Sequence, residues 1–306
     1  MKLVNNSNIP EVLFNALKFN WYSGSEEKRD WSITELLKPI RSAILNKRYD
    51  DVIEQDAMSN IWAMMGSAMH IVLEKGSLDK EHLGLLVEKR LEAEILGKKI
   101  TGGMDIYDEQ NKCVIDFKFQ TIWNWIYLDD HIDDLKFQLN AYRILLKRNG
   151  YEVNSMKVIF LFRDWREYEI TRFAGYPDTQ YKELEIEVID DDEMLKIIEE
   201  KINNLEKYKD SPDNEIPVCT KAERWQKEDS WKIMFKNKCI KTFYSEEEAQ
   251  AFIDEKNYGT IKYTKEMPKR CHKYCAAHDY CDFYVNEVKP LISEEWEHLI
   301  LILTQR

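Results

Sequence analysis

Asp116 and Lys118 stand two apart in the run CVIDFKF, and Asp105 closes the run GGMD a short turn earlier. Residues two apart in a strand point from the same face, roughly 6–7 Å apart along it, so an acid and a lysine share one surface. Asp105, on the preceding strand, can lie opposite them. Two converging carboxylates form a hard oxygen site suited to Mg²⁺ or Mn²⁺, and the backbone carbonyl of Phe117 is available as one more oxygen. A cation held there polarises a phosphodiester and helps make hydroxide from water. A lysine beside it orients that water or stabilises charge developing on phosphate. Asp116 lies between Val114-Ile115 and Phe117, where an isolated carboxylate is costly to bury. The competing reading is a surface hairpin with alternating charges, which needs no ligand.

Other residue types invite the same question. His70 ends the run GSAMH inside an otherwise apolar segment; taken alone, it reads as a core or surface histidine. Gln138 and Tyr142 are four apart on a helix-like stretch and so share a face. Cys271, Cys275 and Cys281 crowd together with Cys219 upstream, while Cys113 and Cys239 sit in strand-like runs. In a reducing compartment such a group points to a metal or an iron–sulfur centre rather than to disulfides. Thiolates also suit zinc, and His272 and His278 lie inside the group.

The elements that must position these residues follow from local pattern. Ser32 with Glu35 three on forms a capping box for a helix over residues 31–48, which Pro39 should interrupt. Residues 59–75 space their apolar side chains as a helix that Gly76 stops. Three strands are predicted over 90–96, 100–107 and 113–120. A helix follows Asp133-Asp134 and runs to Lys147-Arg148, with Gly150 as its stop. A buried strand over 156–164 and a helix over 190–208 complete an α/β domain whose helices flank a mixed sheet. From Asp210 a stretch rich in Pro, Asn and Asp leads to a hairpin over 231–244, a helix from Ser245 and a strand over 258–263. The boundaries expected are residues 1–209, with an N-terminal helical part, and residues 210–306. The aromatic stretch Trp123 to Tyr127 suits core packing as well as base stacking.

The chain has 306 residues, 33% of them charged and 44% hydrophobic, with a net charge of −12. That balance fits a folded globular protein and weighs against a nucleic-acid partner, because phosphate binding draws on local positive charge. No signal peptide is evident at the start, and the apolar runs 158–162 and 299–303 are too short to span a bilayer. A cytoplasmic location without membrane contact is therefore expected.

Taken in order, Gly66 to His70, Gly102 to Asp105, Asp116-Phe117-Lys118 and Gln138 to Tyr142 resemble the RecB-type nuclease domain of the PD-(D/E)xK superfamily. That domain occurs in RecB and AddB recombination nucleases, CRISPR adaptation nucleases and related phage exonucleases. The resemblance covers residues 30–165 and implies a restriction-endonuclease-like core with a small cysteine-clasped α+β module after it. It implies His70, Asp105 and Asp116 as metal ligands, Lys118 as the catalytic lysine, and Gln138 and Tyr142 as supporting contacts to DNA or to the site. Several of these nucleases hold a [4Fe–4S] cluster on four cysteines, three of them near the C-terminus, here Cys271, Cys275 and Cys281. The family often places its first cysteine before the histidine motif, and this chain has none there. Cys219 is the natural substitute and Cys239 the reserve. The layout is most similar to phage-encoded members.

The function expected is a metal-dependent deoxyribonuclease, an exonuclease rather than an endonuclease, working on single-stranded or duplex ends in recombination or end processing. A recombination partner protein and self-association are compatible with it. The alternatives are a non-catalytic DNA-binding or assembly protein and a metal-stabilised interaction protein, with zinc in place of the cluster.

Overall fold

A computed structural model describes residues 1–18, 29–76, 84–130 and 132–292; the apolar run 299–303 lies outside them. In chain order the elements are β1 (Lys2–Val4), α1 (Glu11–Lys18), β2 (Trp31–Ser32), α2 (Ile33–Leu36), α3 (Ile40–Arg48), β3 (Glu54–Asp56) and α4 (Ile61–Gly76). Next come β4 (Leu85–Ile95), β5 (Lys98–Asp108), β6 (Cys113–Gln120), α5 (Trp123–Ile126), α6 (Ile132–Arg148), β7 (Ser155–Phe162), β8 (Tyr181–Glu185) and α7 (Asp191–Tyr208). The last are β9 (Ser230–Phe235), β10 (Lys238–Phe243), α8 (Glu246–Lys256), β11 (Thr260–Thr264) and α9 (Lys269–Lys273). The chain divides into two compact units: residues 1–38 with 54–207, and residues 39–53 with 208–306. α3 thus belongs with the C-terminal unit.

The first unit is mixed α/β, with a mixed central sheet flanked by helices. β5 pairs along one edge with β4, antiparallel from Leu85↔Asp108 to Ile95↔Lys98. Its other edge is shared. β2 pairs there in parallel at Ile100 and Thr101, and β6 pairs antiparallel from Ile106 to Asp108. β6 then runs parallel to β7 over its whole length, and β8 closes that side antiparallel. Parallel neighbours need a crossover, which α6 supplies. Its acidic start, basic end and following Gly150 at φ +86 are the termini that its sequence dictates. Ten of its seventeen residues are buried, Leu139, Leu145 and Leu146 completely, each worth about 1.5–3 kcal/mol of apolar burial. The helix is therefore a rigid back wall for the sheet. Its buried Asn140 is held by the Lys136 and Glu187 carbonyls and the Ile189 amide.

The Ser32–Glu35 capping box is present, and Pro39 begins a second helix rather than kinking one. β4 starts five residues before the strand expected from Arg90. α5 and β8 have no counterpart among the expected elements. No helix among the described residues is long and apolar enough to cross a membrane.

In the second unit β9 is the centre of an antiparallel sheet ordered β10-β9-β11. α8 covers one face over the buried Ile233 and Ala249. α3 is held in this unit by its buried Arg41, which donates to the carbonyls of Ile216 and Asp213 and pairs with Asp282. Tyr49 stacks on Tyr280 at 4.4 Å between ring centroids.

Candidate active site

The β5–β6 ladder stops at Ile106↔Ile115, one step before Asp105 and Asp116. β2 does not rejoin β5 until Thr101, so the edge from Gly102 to Asp105 is free of strand pairing on that side. Released from β5, the Phe117 amide donates to Asp105 Oδ2 at 2.7 Å. In an extended strand the N–H and C=O of one residue face the same neighbour, so the Phe117 carbonyl faces this gap as well.

Asp116 is 2% exposed. Its Oδ2 lies 2.7 Å from Lys118 Nζ, yet without the alignment of a hydrogen bond, and it remains a buried oxygen with no hydrogen-bond partner. Burial, then the Asp116 charge, pushes the Asp105 carboxyl up to about 7 against the opposing pull of His70, the Phe117 amide and Lys118. His70, on α4, brings Nδ1 within 3.0 Å of Glu88 Oε1 and 3.5 Å of Asp105 Oδ1. The Glu88 hydrogen bond leads in raising the imidazole above its ordinary range, against desolvation. Two half-buried carboxylates and an imidazole converge here: ligand atoms of His70, Glu88 and Asp105 all lie within 4.8 Å of one another.

Lys118 Nζ donates to Gln138 Oε1 at 3.1 Å, and Gln138 Nε2 to the Tyr142 hydroxyl at 2.9 Å. The lysine is thus fixed by a chain of polar contacts anchored on α6. Gly102 makes that approach possible, since a Cβ there would sit 2.9 Å from the Tyr142 ring and 3.0 Å from Leu145. His70 and Asp105 thus gather with Glu88, whereas Asp116 lies outside that group; Asp116 is joined through Lys118 to Gln138 and Tyr142, and the Phe117 amide on Asp105 links the two sets.

Glu88 carries no sequence signal of the kind that marked the other candidate residues. It falls opposite Asp105 in the β4–β5 register and has a left-handed backbone, φ +49, which is costly for a residue with a side chain. The run LLVEKRLEAE carries it in strand-like sequence, and a strand begun at Leu85 rather than Arg90 would have found it.

The aromatic stretch divides its roles. Trp125 packs edge-on against Phe160 and Phe162, whereas Trp123 and Tyr127 stay exposed and stack at 6.2 Å.

In the second unit Cys219, Cys271, Cys275 and Cys281 line one pocket together with Arg41, Ser42, Arg224 and His278. Burial, then the neighbouring acid and thiols, pushes the Cys219 thiol up to about 11; burial and the other three thiols push Cys271 up to about 12. Burial also raises Cys275. Cys239 is exposed on β10, and Cys113 is buried in β6.

No family model matches the chain, and no curated protein does. Among solved structures, SSO0001 is similar at a TM-score of 0.44 and 20% identity, over 66% of this chain and 87% of that one. A phage-related exonuclease from Haemophilus somnus 129PT is similar at a TM-score of 0.30 and 13% identity, over 67% and 82%.

Proposed function

We propose that the chain is a metal-dependent nuclease that hydrolyses phosphodiester bonds in DNA, working from ends. One observation carries the reading: His70, Glu88 and Asp105 bring ligand atoms within 4.8 Å of one another, beside a buried Asp116 oxygen that has no hydrogen-bond partner and only the Lys118 ammonium, at 2.7 Å, to balance it. Half-buried acids gathered this closely repel unless a cation lies among them, and the groups here are hard oxygens with one imidazole, the set that suits Mg²⁺ or Mn²⁺. The residues fit a divalent cation, with Asp105, Asp116, His70, Glu88 and the Phe117 carbonyl as its holders. When bound, the ion supplies Lewis-acid polarisation of the phosphate and acidifies water. Lys118, held by Gln138, is aimed at the same spot and stabilises developing negative charge. Trp123 and Tyr127 offer ring faces to unpaired bases beyond β6.

For the cysteine pocket we propose a [4Fe–4S] cluster on Cys219, Cys271, Cys275 and Cys281. The thiols are half-buried, mutually repulsive once ionised, and accompanied by Arg41 and Arg224, a setting that favours a thiolate-bound cationic group.

The test is cleavage of end-labelled DNA with Mn²⁺, with and without chelator, using the parent and Asp116→Asn. Metal-dependent shortening by the parent, lost in a folded variant, is the expected result. Equal cutting by both proteins would reject the site.

A further inference from the structure

The three-stranded sheet of the second unit carries positive charge where the rest of the chain is acidic. Residues 230–265 hold seven lysines against five acids, in a protein of net charge −12. All five acids, Glu246 among them, are on α8, which covers one face of the sheet. Trp231, Phe243 and Tyr263 share that covered face, joined in register and by ring contacts with one another or with Phe252 of the helix. Side chains alternate along a strand, so Lys232, Lys262, Thr242 and Thr260 point from the opposite face.

On that face Lys232 and Lys262 stand directly opposite each other across the β9–β11 ladder. Like charges so placed repel and destabilise a sheet. Some lysines elsewhere are neutralised, as in Lys98–Glu206, Lys157–Glu183 and Lys221–Glu228. Lys232 and Lys262 make no ion pair with any described residue, and neither do Lys236 and Lys238 at the hairpin tip. The tip residues Lys236 and Asn237 both have positive φ, +47 and +63, the tight hairpin geometry that usually draws Asn or Gly.

We infer that this open face and its tip bind the phosphate backbone of duplex DNA. The inference rests on the nuclease reading for its substrate and adds a second binding surface. Lys232 and Lys262 on the open face, with Lys236 and Lys238 at the tip beside Phe235, make four cations without an ion pair that complement a polyanion. By register the open face presents Lys232, Met234, Thr242, Thr260 and Lys262 and no aromatic ring, which favours backbone binding over single-strand stacking there.

The test is anisotropy of a fluorescein-labelled duplex in EDTA, where nothing is cut, for the full chain and for Lys232→Gln, Lys236→Gln, Lys238→Gln and Lys262→Gln combined. Expected are an affinity loss of at least about tenfold near 100 mM salt and a shallower salt slope, by about one for each phosphate no longer neutralised. Lys232→Arg with Lys262→Arg should retain binding, and Lys262→Gln alone should melt no lower than the parent. Unchanged affinity and slope in the quadruple variant overturn the inference, as does binding of phosphatidylserine vesicles in place of DNA. Loss of binding in a variant that still cuts short oligonucleotides supports it. A parent that binds through these lysines but never cuts with Mn²⁺ defeats the nuclease reading alone.

Discussion

At Asp105 burial and a facing carboxylate hold a proton that the residue would ordinarily release near pH 3.8. Because the native value of about 7 lies above the unfolded one, the folded protein binds more protons between the two, and stability falls as pH rises through that window. His70 adds in the same direction, since its raised native value lends stability below about pH 6.5 that is lost as pH climbs through that raised value. Metal-free Asp105→Asn should therefore match the parent near pH 4 and melt above it at pH 8. Mn²⁺ should raise the melting temperature of the parent but not of the variant. A parent–variant gap that does not widen with pH would remove the burial argument. Glu88 admits a separate test. Glu88→Gln keeps an acceptor for His70 while removing charge from the site. The manganese concentration for half-maximal cutting should rise roughly 10- to 100-fold, with cutting largely recovered at saturation. Superimposable metal titrations would make Glu88 a partner of the histidine and nothing more.

Elements reach the site through close approach, and Gly102 is where that approach is tightest. Gly102→Ala would press a methyl against the buried Tyr142 ring, which α6 cannot withdraw. About 1–3 kcal/mol of stability should be lost, with weaker cutting as the Gln138–Lys118 hydrogen bond is pushed aside. Gly103→Ala, which meets nothing within 4 Å, is the control; equal denaturant midpoints for the two would show that Tyr142 yields freely. These elements were unevenly legible in the sequence. Caps and stops are local chemistry, so the Ser32 box, the Pro39 break and the termini of α6 could be read directly. The alternation in CVIDFKF placed Asp116 and Lys118 on one face because side-chain period is a property of the strand itself. Glu88 was hidden because the strand was begun at Arg90, two residues beyond it, and its left-handed backbone, φ +49, is not a property the sequence displays. The gap from Gly102 to Asp105 was hidden because it depends on where β2 and β6 stop pairing with β5. Trp123 and Tyr127 were ambiguous for a similar reason: only the packing of Trp125 on β7 tells which rings remain outside.

For the molecule as a whole, the cysteines test how distant segments are tied together. The pocket draws on α3, on the stretch around Cys219 and on the segment from Cys271 to Tyr284, pieces far apart in sequence. A group bound by thiolates contributes folding free energy because the site does not exist in the unfolded chain. The thiols here resist ionisation, with Cys219 at about 11 and Cys271 at about 12. Without a cation the pocket therefore holds neutral thiols, and loading must release protons. Protein purified without oxygen should be brown, with about four iron and four sulfide per chain, as four thiolates on one [4Fe–4S] centre require. Serine at Cys219, Cys271, Cys275 or Cys281 should bleach it and lower its melting temperature. Serine at Cys239 or Cys113 should leave the colour intact, because neither lines the pocket. Cutting should survive in bleached variants wherever the first unit stays folded, since the residues proposed to hold its cation are others. Colourless protein with one zinc per chain would reject the cluster while keeping the tie. Colour retained in Cys219→Ser and lost in Cys239→Ser would reassign the fourth ligand to β10.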